Sequence, residues 1–101
     1  MSAKSITIDS AVAESLRHAA RCIDELVDKG EPMGERNTYR RGFNAADEYL
    51  VEQTPLKGSA FQKAADKMGD VAIMAHKHGI NGKDAAEFYR NKADAIIECN
   101  E

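Results

Sequence analysis

Residues 9–30 read DSAVAESLRHAARCIDELVDKG, and this stretch decides the fold class of the chain. Its apolar side chains recur at spacings of 4, 3, 4 and 3 residues, at Val12, Leu16, Ala19, Ile23 and Leu26. That spacing keeps one face of an α-helix apolar, so the stretch predicts an amphipathic helix that packs on its neighbours. We expect the helix to be capped by Asp9 or Ser10 and to end at Gly30.

A second helix is predicted from the same kind of periodicity further along the chain. It should run from about residue 37 to Gln53. Its core-facing stripe is predicted to consist of Tyr39, Phe43, Ala46 and Leu50, with Gly42 and Tyr49 on the same side. Pro55 ends it, because proline donates no backbone N–H and disfavours a helical residue before it.

A third and a fourth helix follow, joined by a glycine turn. The third is predicted to begin at a capping box formed by Ser59 and Gln62. In an alternative arrangement, Gly69 divides this helix into two shorter ones. We expect Gly79 to end the third helix as a left-handed cap, and the fourth helix to span residues 83–98.

These elements predict an all-α fold, a compact single-domain bundle of about four helices, or of five if the third is divided. Residues 1–8 are predicted to form a short N-terminal arm, and residues 9–101 a single helical domain. The chain has 101 residues, 43% of them hydrophobic, which is enough for one modest core. Gly42 and Gly69 each cost roughly 1 kcal/mol relative to alanine inside a helix, so they indicate close helix approach or a break.

Composition argues against several functional classes. The chain carries 14 Lys+Arg against 17 Asp+Glu, a formal net charge of −3, which gives nucleic-acid binding no support. No apolar run approaches the roughly 18 residues of a membrane span, and no secretory signal follows Met1. Cys22 and Cys99 are then expected to be reduced thiols, so we expect a cytoplasmic protein with no membrane partner.

The sequence predicts no catalytic residues, no cofactor and no metal site. It contains no glycine-rich phosphate loop, no nucleophile elbow and no pair of carboxylates spaced for acid–base work. His18 and Cys22 lie one helical turn apart and can reach a common ion, but zinc needs about four converging ligands. We therefore expect that the protein is not an enzyme.

One group of residues with a binding character lies at the start of the second helix. It consists of Arg36, Tyr39, Arg40 and Arg41, in which arginines alternate with an aromatic side chain. Arginine and tyrosine are enriched at the anchor points of protein interfaces, and such a group also holds an anion or stacks on a base. In the alternative interpretation, the arginines are solvated or pair with Asp47 and Glu48.

A second group consists of apolar residues that lie off the main stripes of their helices. These residues are Val51 on the second helix, Ile73 and Met74 on the third, and Ile97 on the fourth. We expect them to pack against a neighbouring helix within the fold. In the alternative, they form an exposed patch of the kind that marks a partner site or a dimer interface.

Together the two groups favour a small protein-binding domain, a regulator, inhibitor or adaptor that occupies the surface of a partner protein, as a monomer or as a homodimer. The residues expected to bind the partner are Arg36, Tyr39, Arg40, Arg41, Ile73, Met74 and Ile97. The hypothesis rests on these residues and on the absence of motifs for other functions.

The alternative is a helix-turn-helix DNA-binding regulator centred on residues 71–90. In that interpretation, Lys83 and Arg90 of the fourth helix would contact the DNA. Asp84 and Glu87 accompany them, so the helix offers phosphates no net positive surface. An ordinary helical hairpin with a glycine cap is therefore the favoured interpretation of this segment.

Overall fold

A computed structural model of the chain describes residues 6–99, and these residues form four α-helices. The helices are α1 (Ile8–Asp28), α2 (Glu35–Gln53), α3 (Gly58–Lys77) and α4 (Gly82–Cys99). Residues 6–99 contain no strand, so the predicted all-α bundle of about four helices is confirmed. Most of the predicted N-terminal arm, residues 1–5, lies outside the described residues. None of the four helices is long and apolar enough to cross a membrane.

Helix α1 lies at the centre of the bundle and packs against all three other helices, most extensively against α4. Its fully buried residues are Ala11, Val12, Ala13, Ser15, Leu16, Ala19, Ala20 and Ile23. Most of these side chains are small, so the neighbouring helices approach the α1 backbone closely. The apolar stripe predicted for this helix is confirmed up to Ile23, whereas Leu26 is only half-buried.

The predicted ends of the helices are confirmed where a glycine has a positive φ and are wrong at the start of α1. Gly30 has a φ of 84° and Gly79 a φ of 67°, so each ends its helix in the left-handed region. At the start of α1, the hydroxyl of Thr7 accepts a hydrogen bond from the Ser10 N–H at 3.0 Å. Thr7 is therefore the cap, and Asp9 lies in the first turn, where its charge favours the positive end of the helix dipole.

Helix α3 differs from the prediction at its start and in its middle. It begins at Gly58 without a side-chain cap, and the Gln62 amide donates to Asp66 at 3.0 Å instead of closing a capping box. The helix also continues through Gly69, so the division into five helices is wrong. A methyl group at Gly69 would lie 3.7 Å from the Phe43 ring, which is an ordinary contact, so the packing of this aromatic side chain over the helix does not require the glycine.

Helix α2 begins at Glu35, two residues before the predicted start, and its predicted core-facing side is confirmed at Gly42, Ala46 and Leu50. Its buried residues are Thr38, Gly42, Ala46 and Leu50, at a spacing of four. Tyr39 and Phe43, predicted to be core residues, are only half-buried at the edge of this face. The side of α2 that carries small residues faces inward, because Gly42 is in close contact with Tyr89 of α4 and Ile23 of α1.

The hydroxyl of Tyr89 is buried at this contact and has no hydrogen-bond partner among residues 6–99. A buried polar atom without a partner costs about 1–3 kcal/mol, so its removal is favourable. Burial also raises the pKa of Tyr89 to about 12, from an ordinary value of 10.0. The folded protein therefore retains this proton at a pH at which the unfolded chain has lost it.

Tyr89→Phe is expected to raise the free energy of unfolding by about 1 kcal/mol at neutral pH. At high pH, Tyr89 ionises in the unfolded chain before it ionises in the folded protein, and this lowers the free energy of unfolding of the wild type. The difference in free energy of unfolding between Tyr89→Phe and the wild type should therefore widen by about 1.4 kcal/mol at about pH 11. Urea unfolding of both proteins at about pH 8 and about pH 11 measures both effects. A gap that stays constant with pH would contradict the burial of this phenol.

Candidate functional site

Part of each group of residues predicted from the sequence lies on one surface, between α2 and α3. The ring of Tyr39 lies 5.1 Å from the ring of His76, centroid to centroid, and 6.4 Å from the ring of Phe43, which it stacks against. Ile73 lines the same shallow groove as Tyr39 and Phe43. We call Tyr39, Phe43 and Ile73 the apolar strip, and the surface around it the α2–α3 face.

The arginines of α2 divide between two sides of the helix. Arg36 and Arg40 are exposed beside Tyr39 and His76, and neither has an ion-pair partner among residues 6–99. Arg41 faces the groove between α1 and α2 and lies 3.8 Å from a carboxylate oxygen of Glu31. None of the three arginines pairs with Asp47 or Glu48, but Arg36 and Arg40 are exposed, as the alternative interpretation of solvated arginines also allows. Two cations are therefore left on the α2–α3 face.

The prediction that the additional apolar residues pack within the fold is wrong for three of the four. Ile73 is 46% exposed, Met74 41% and Val51 58%, whereas Ile97 is half-buried against the core. The reason lies in the architecture, because α1 occupies the centre and each outer helix is covered on its inner side alone. Ile73 adjoins the apolar groove, Met74 lies one position further round α3, and Ile97 is on a different helix from both.

The cations that the DNA-binding alternative needs are already paired within the chain. Lys83 lies 2.8 Å from Asp28, and Arg90 donates to Asp24. The hydrogen bond to Asp28 also raises the pKa of Lys83. Both carboxylates belong to α1, on which α4 packs, so the positive charges of this helix are directed at its neighbour. The structure therefore provides no observation that favours helix-turn-helix binding over a surface on α2 and α3.

His18 and Cys22 are close together, as their spacing predicts, but they form a limited cluster. The Sγ atom of Cys22 lies 3.5 Å from His18 Nε2, and the His18 ring lies 5.0 Å from the ring of Tyr49. Burial, followed by the charge of Glu25, raises the pKa of the Cys22 thiol, which disfavours the thiolate that nucleophilic attack and metal binding require. Within residues 6–99, no group of three His, Cys, Asp or Glu side chains is arranged to hold a metal ion.

Comparisons of the chain with protein-family models, with curated proteins and with solved structures found no match. Two residues of the α2–α3 face, Phe43 and His76, are absent from the sequence-based set of binding residues. The spacing of one helical turn places Phe43 on the same side of α2 as Tyr39, but the sequence predicts this side to face the core.

Proposed function

We propose that the chain is a small protein-binding domain whose docking surface is the α2–α3 face. The observation that carries this proposal is the apolar strip between two helices, in which Ile73 is exposed and Tyr39 and Phe43 are half-buried. It is bordered by Arg36 and Arg40, which lack ion-pair partners among residues 6–99. Protein interfaces combine a central apolar patch with a charged rim, and tyrosine and arginine are their most frequent anchors. The shallow groove suits a protein segment better than a small ligand, which needs a deeper pocket.

The proposed domain acts by covering part of its partner, as a regulator, an inhibitor or an adaptor does. Binding would bury Tyr39, Phe43 and Ile73 against apolar side chains of the partner. Arg36 and Arg40 would then pair with carboxylates at the border, where an ion pair steers association more than it adds affinity. The burial of the accessible apolar surface of the strip supplies the main favourable free energy of binding.

Arg40→Glu is expected to reduce partner capture roughly tenfold or more. The substitution replaces a cation of the face with a carboxylate, which would repel the carboxylates of the partner. Arg41→Glu is the matched control, since Arg41 is the next residue of α2 but faces the opposite side. Tagged wild-type and variant chains would be used to capture proteins from the cells in which the gene is native, with quantification by mass spectrometry.

Ile73→Glu and Met74→Glu extend the test to α3. Both side chains are exposed, so circular dichroism should show unchanged helicity in either variant. We expect Ile73→Glu to abolish capture of the same proteins and Met74→Glu to weaken it less, because Met74 lies outside the groove lined by Tyr39. Equal capture by the wild type, Arg40→Glu and Ile73→Glu would overturn the proposal.

A further inference from the structure

Most charged residues on the α2–α3 face are sorted by sign along its length. Arg36 and Arg40 of α2 and Asp66, Asp70 and Lys77 of α3 line the grooves around the apolar strip. Asp47 follows Arg40 by two helical turns, which places it on the same side of α2. The two helices are antiparallel, since Tyr39 lies beside His76 and Phe43 beside Gly69. The cations of both helices therefore lie at one end of the face, which we call the basic end, and the three aspartates lie towards the other, the acidic end.

This distribution limits the kind of protein that fits the face. A uniformly acidic partner would pair with Arg36 and Arg40 but would be repelled by Asp66 and Asp70, which line the groove with the apolar strip. A uniformly basic partner would pair with Asp66 and Asp70 but would be repelled by Arg36 and Arg40. The fitting partner carries an apolar centre with a negative end and a positive end, which are the features of the face itself.

We propose that the α2–α3 face binds a second copy of this chain, packed antiparallel about a two-fold axis. The inference rests on the proposed function only in taking this face as an interaction surface. In this antiparallel two-fold arrangement, the same face of each copy forms the interface, and the two faces run in opposite directions. The basic end of each copy therefore lies against the acidic end of the other. The apolar strips of the two copies then pack together between the ends.

One residue of reversed sign lies at the basic end. Glu35 is close to Gly79 there, and the cations Arg36, Arg40 and Lys77 outnumber it. The net charge of −3 on each copy adds a weak long-range repulsion, which physiological salt screens beyond about 8 Å.

The size of the face predicts a dimer of moderate affinity. Helix α2 has 19 residues, so it is about 28 Å long, and two adjacent helices present a width of roughly 20 Å. Two such faces bury about 1,100 Å² in total, at the lower limit of specific interfaces. We therefore expect a Kd in the micromolar range, between about 1 and about 50 µM.

Two charge-reversed variants test the pairing directly by analytical ultracentrifugation. Arg36→Glu/Arg40→Glu makes both ends of the face acidic, and Asp47→Lys/Asp66→Lys makes the acidic end basic. We expect each variant alone to have a Kd raised at least about 30-fold, and an equimolar mixture of the two to form a heterodimer with near wild-type affinity. Arg41→Glu, which lies off the face, should dimerise as the wild type does.

Recovery of the dimer in the mixture would support the inference, and it would also show that both variants are folded. A wild-type chain that remains monomeric up to about 200 µM would overturn it, as would a mixture that remains monomeric. The proposed function fails separately. If the wild-type chain is monomeric but Arg40→Glu still loses partner capture, the α2–α3 face binds a different protein and only the second copy is excluded.

Discussion

Replacing Leu16 with alanine is expected to lower the free energy of unfolding by about 3 kcal/mol, a large part of the roughly 5–15 kcal/mol available to a domain of this size. Leu16 is 1% exposed on α1, the helix that packs against all the others. Most buried neighbours on its own helix are alanines, and an alanine has no rotamer that could move into the space left behind. Urea unfolding followed by far-UV circular dichroism measures the loss, since the chain contains no tryptophan.

Leu26→Ala is the matched control for this prediction. It deletes the same atoms from the same predicted stripe of α1, but Leu26 is only half-buried beside the groove that Arg41 lines. We expect a loss of about 1 kcal/mol, because the lost burial is partial and no closed cavity forms. Equal losses in Leu16→Ala and Leu26→Ala would contradict the central position of Leu16 in the bundle.

The sequence predicts the helices well because their signals are local. Periodic apolar residues identify α1, and Gly30 and Gly79 end their helices through backbone geometry that few other residues adopt. The capping box at Ser59 is wrong because α3 begins one residue earlier, at Gly58, so Ser59 lies within the first turn and cannot act as the N-cap. In α3, Gln62 instead donates to Asp66, one turn further along the same helix.

The exact face that a helix turns to the core depends on its neighbours, and here the sequence predicts it only in part. In α2, the predicted residues Ala46 and Leu50 are buried, but near the start of the helix Thr38 is buried while Tyr39 and Phe43 are only half-buried. A buried threonine is acceptable because its hydroxyl donates to the Met33 carbonyl at 3.0 Å and accepts from the Gly82 N–H at 3.1 Å. Neither partner can be read from local spacing.

The same limit applies to the candidate site. Sequence patterns identify the arginines of α2 and the apolar residues Ile73 and Met74 as separate groups, without indicating that Tyr39 and Ile73 line one groove. Their proximity follows from the antiparallel packing of two helices, which hydrophobic periodicity does not determine. Ile97, which belongs to the same predicted set, lies on α4 and is half-buried against the core.

Charge placement adds to the character of the α2–α3 face. Five cations within residues 6–99 form ion pairs, among them Arg17 with Asp94 at 2.7 Å and Lys67 with Asp9 at 2.6 Å, whereas the other cations of the described residues, Arg36 and Arg40 included, do not. Exposed pairs of this kind contribute little to stability, but they remove charge from the surface. Arg36 and Arg40 keep their charge and lie beside Tyr39, and this combination of cations with an apolar strip makes their surroundings the strongest candidate for a binding surface.

Gly42→Ala is expected to lower the free energy of unfolding by about 2 kcal/mol, although alanine is the better helix former by roughly 1 kcal/mol. A methyl group at this position would lie 2.9 Å from the Tyr89 Oη, 3.0 Å from its Cε2 and 3.1 Å from the Ile23 Cδ1. Both side chains are fully buried, so neither has free space to move into. Helix α2 must then shift away from α1 and α4, and the loss of packing exceeds the gain in helix propensity.

Gly69→Ala is the control, because Gly69 is also inside a helix but its nearest obstacle, the Phe43 ring, is 3.7 Å away, an ordinary contact. It should stabilise the protein by up to about 1 kcal/mol. Ile23→Val removes the Cδ1 atom that a methyl group at Gly42 would meet, so adding Gly42→Ala to Ile23→Val should cost less than adding it to the wild type. If Gly42→Ala costs the same in both backgrounds, the added methyl group clashes with Tyr89 alone. If Gly42→Ala stabilises the protein, α2 does not approach α1 and α4 this closely.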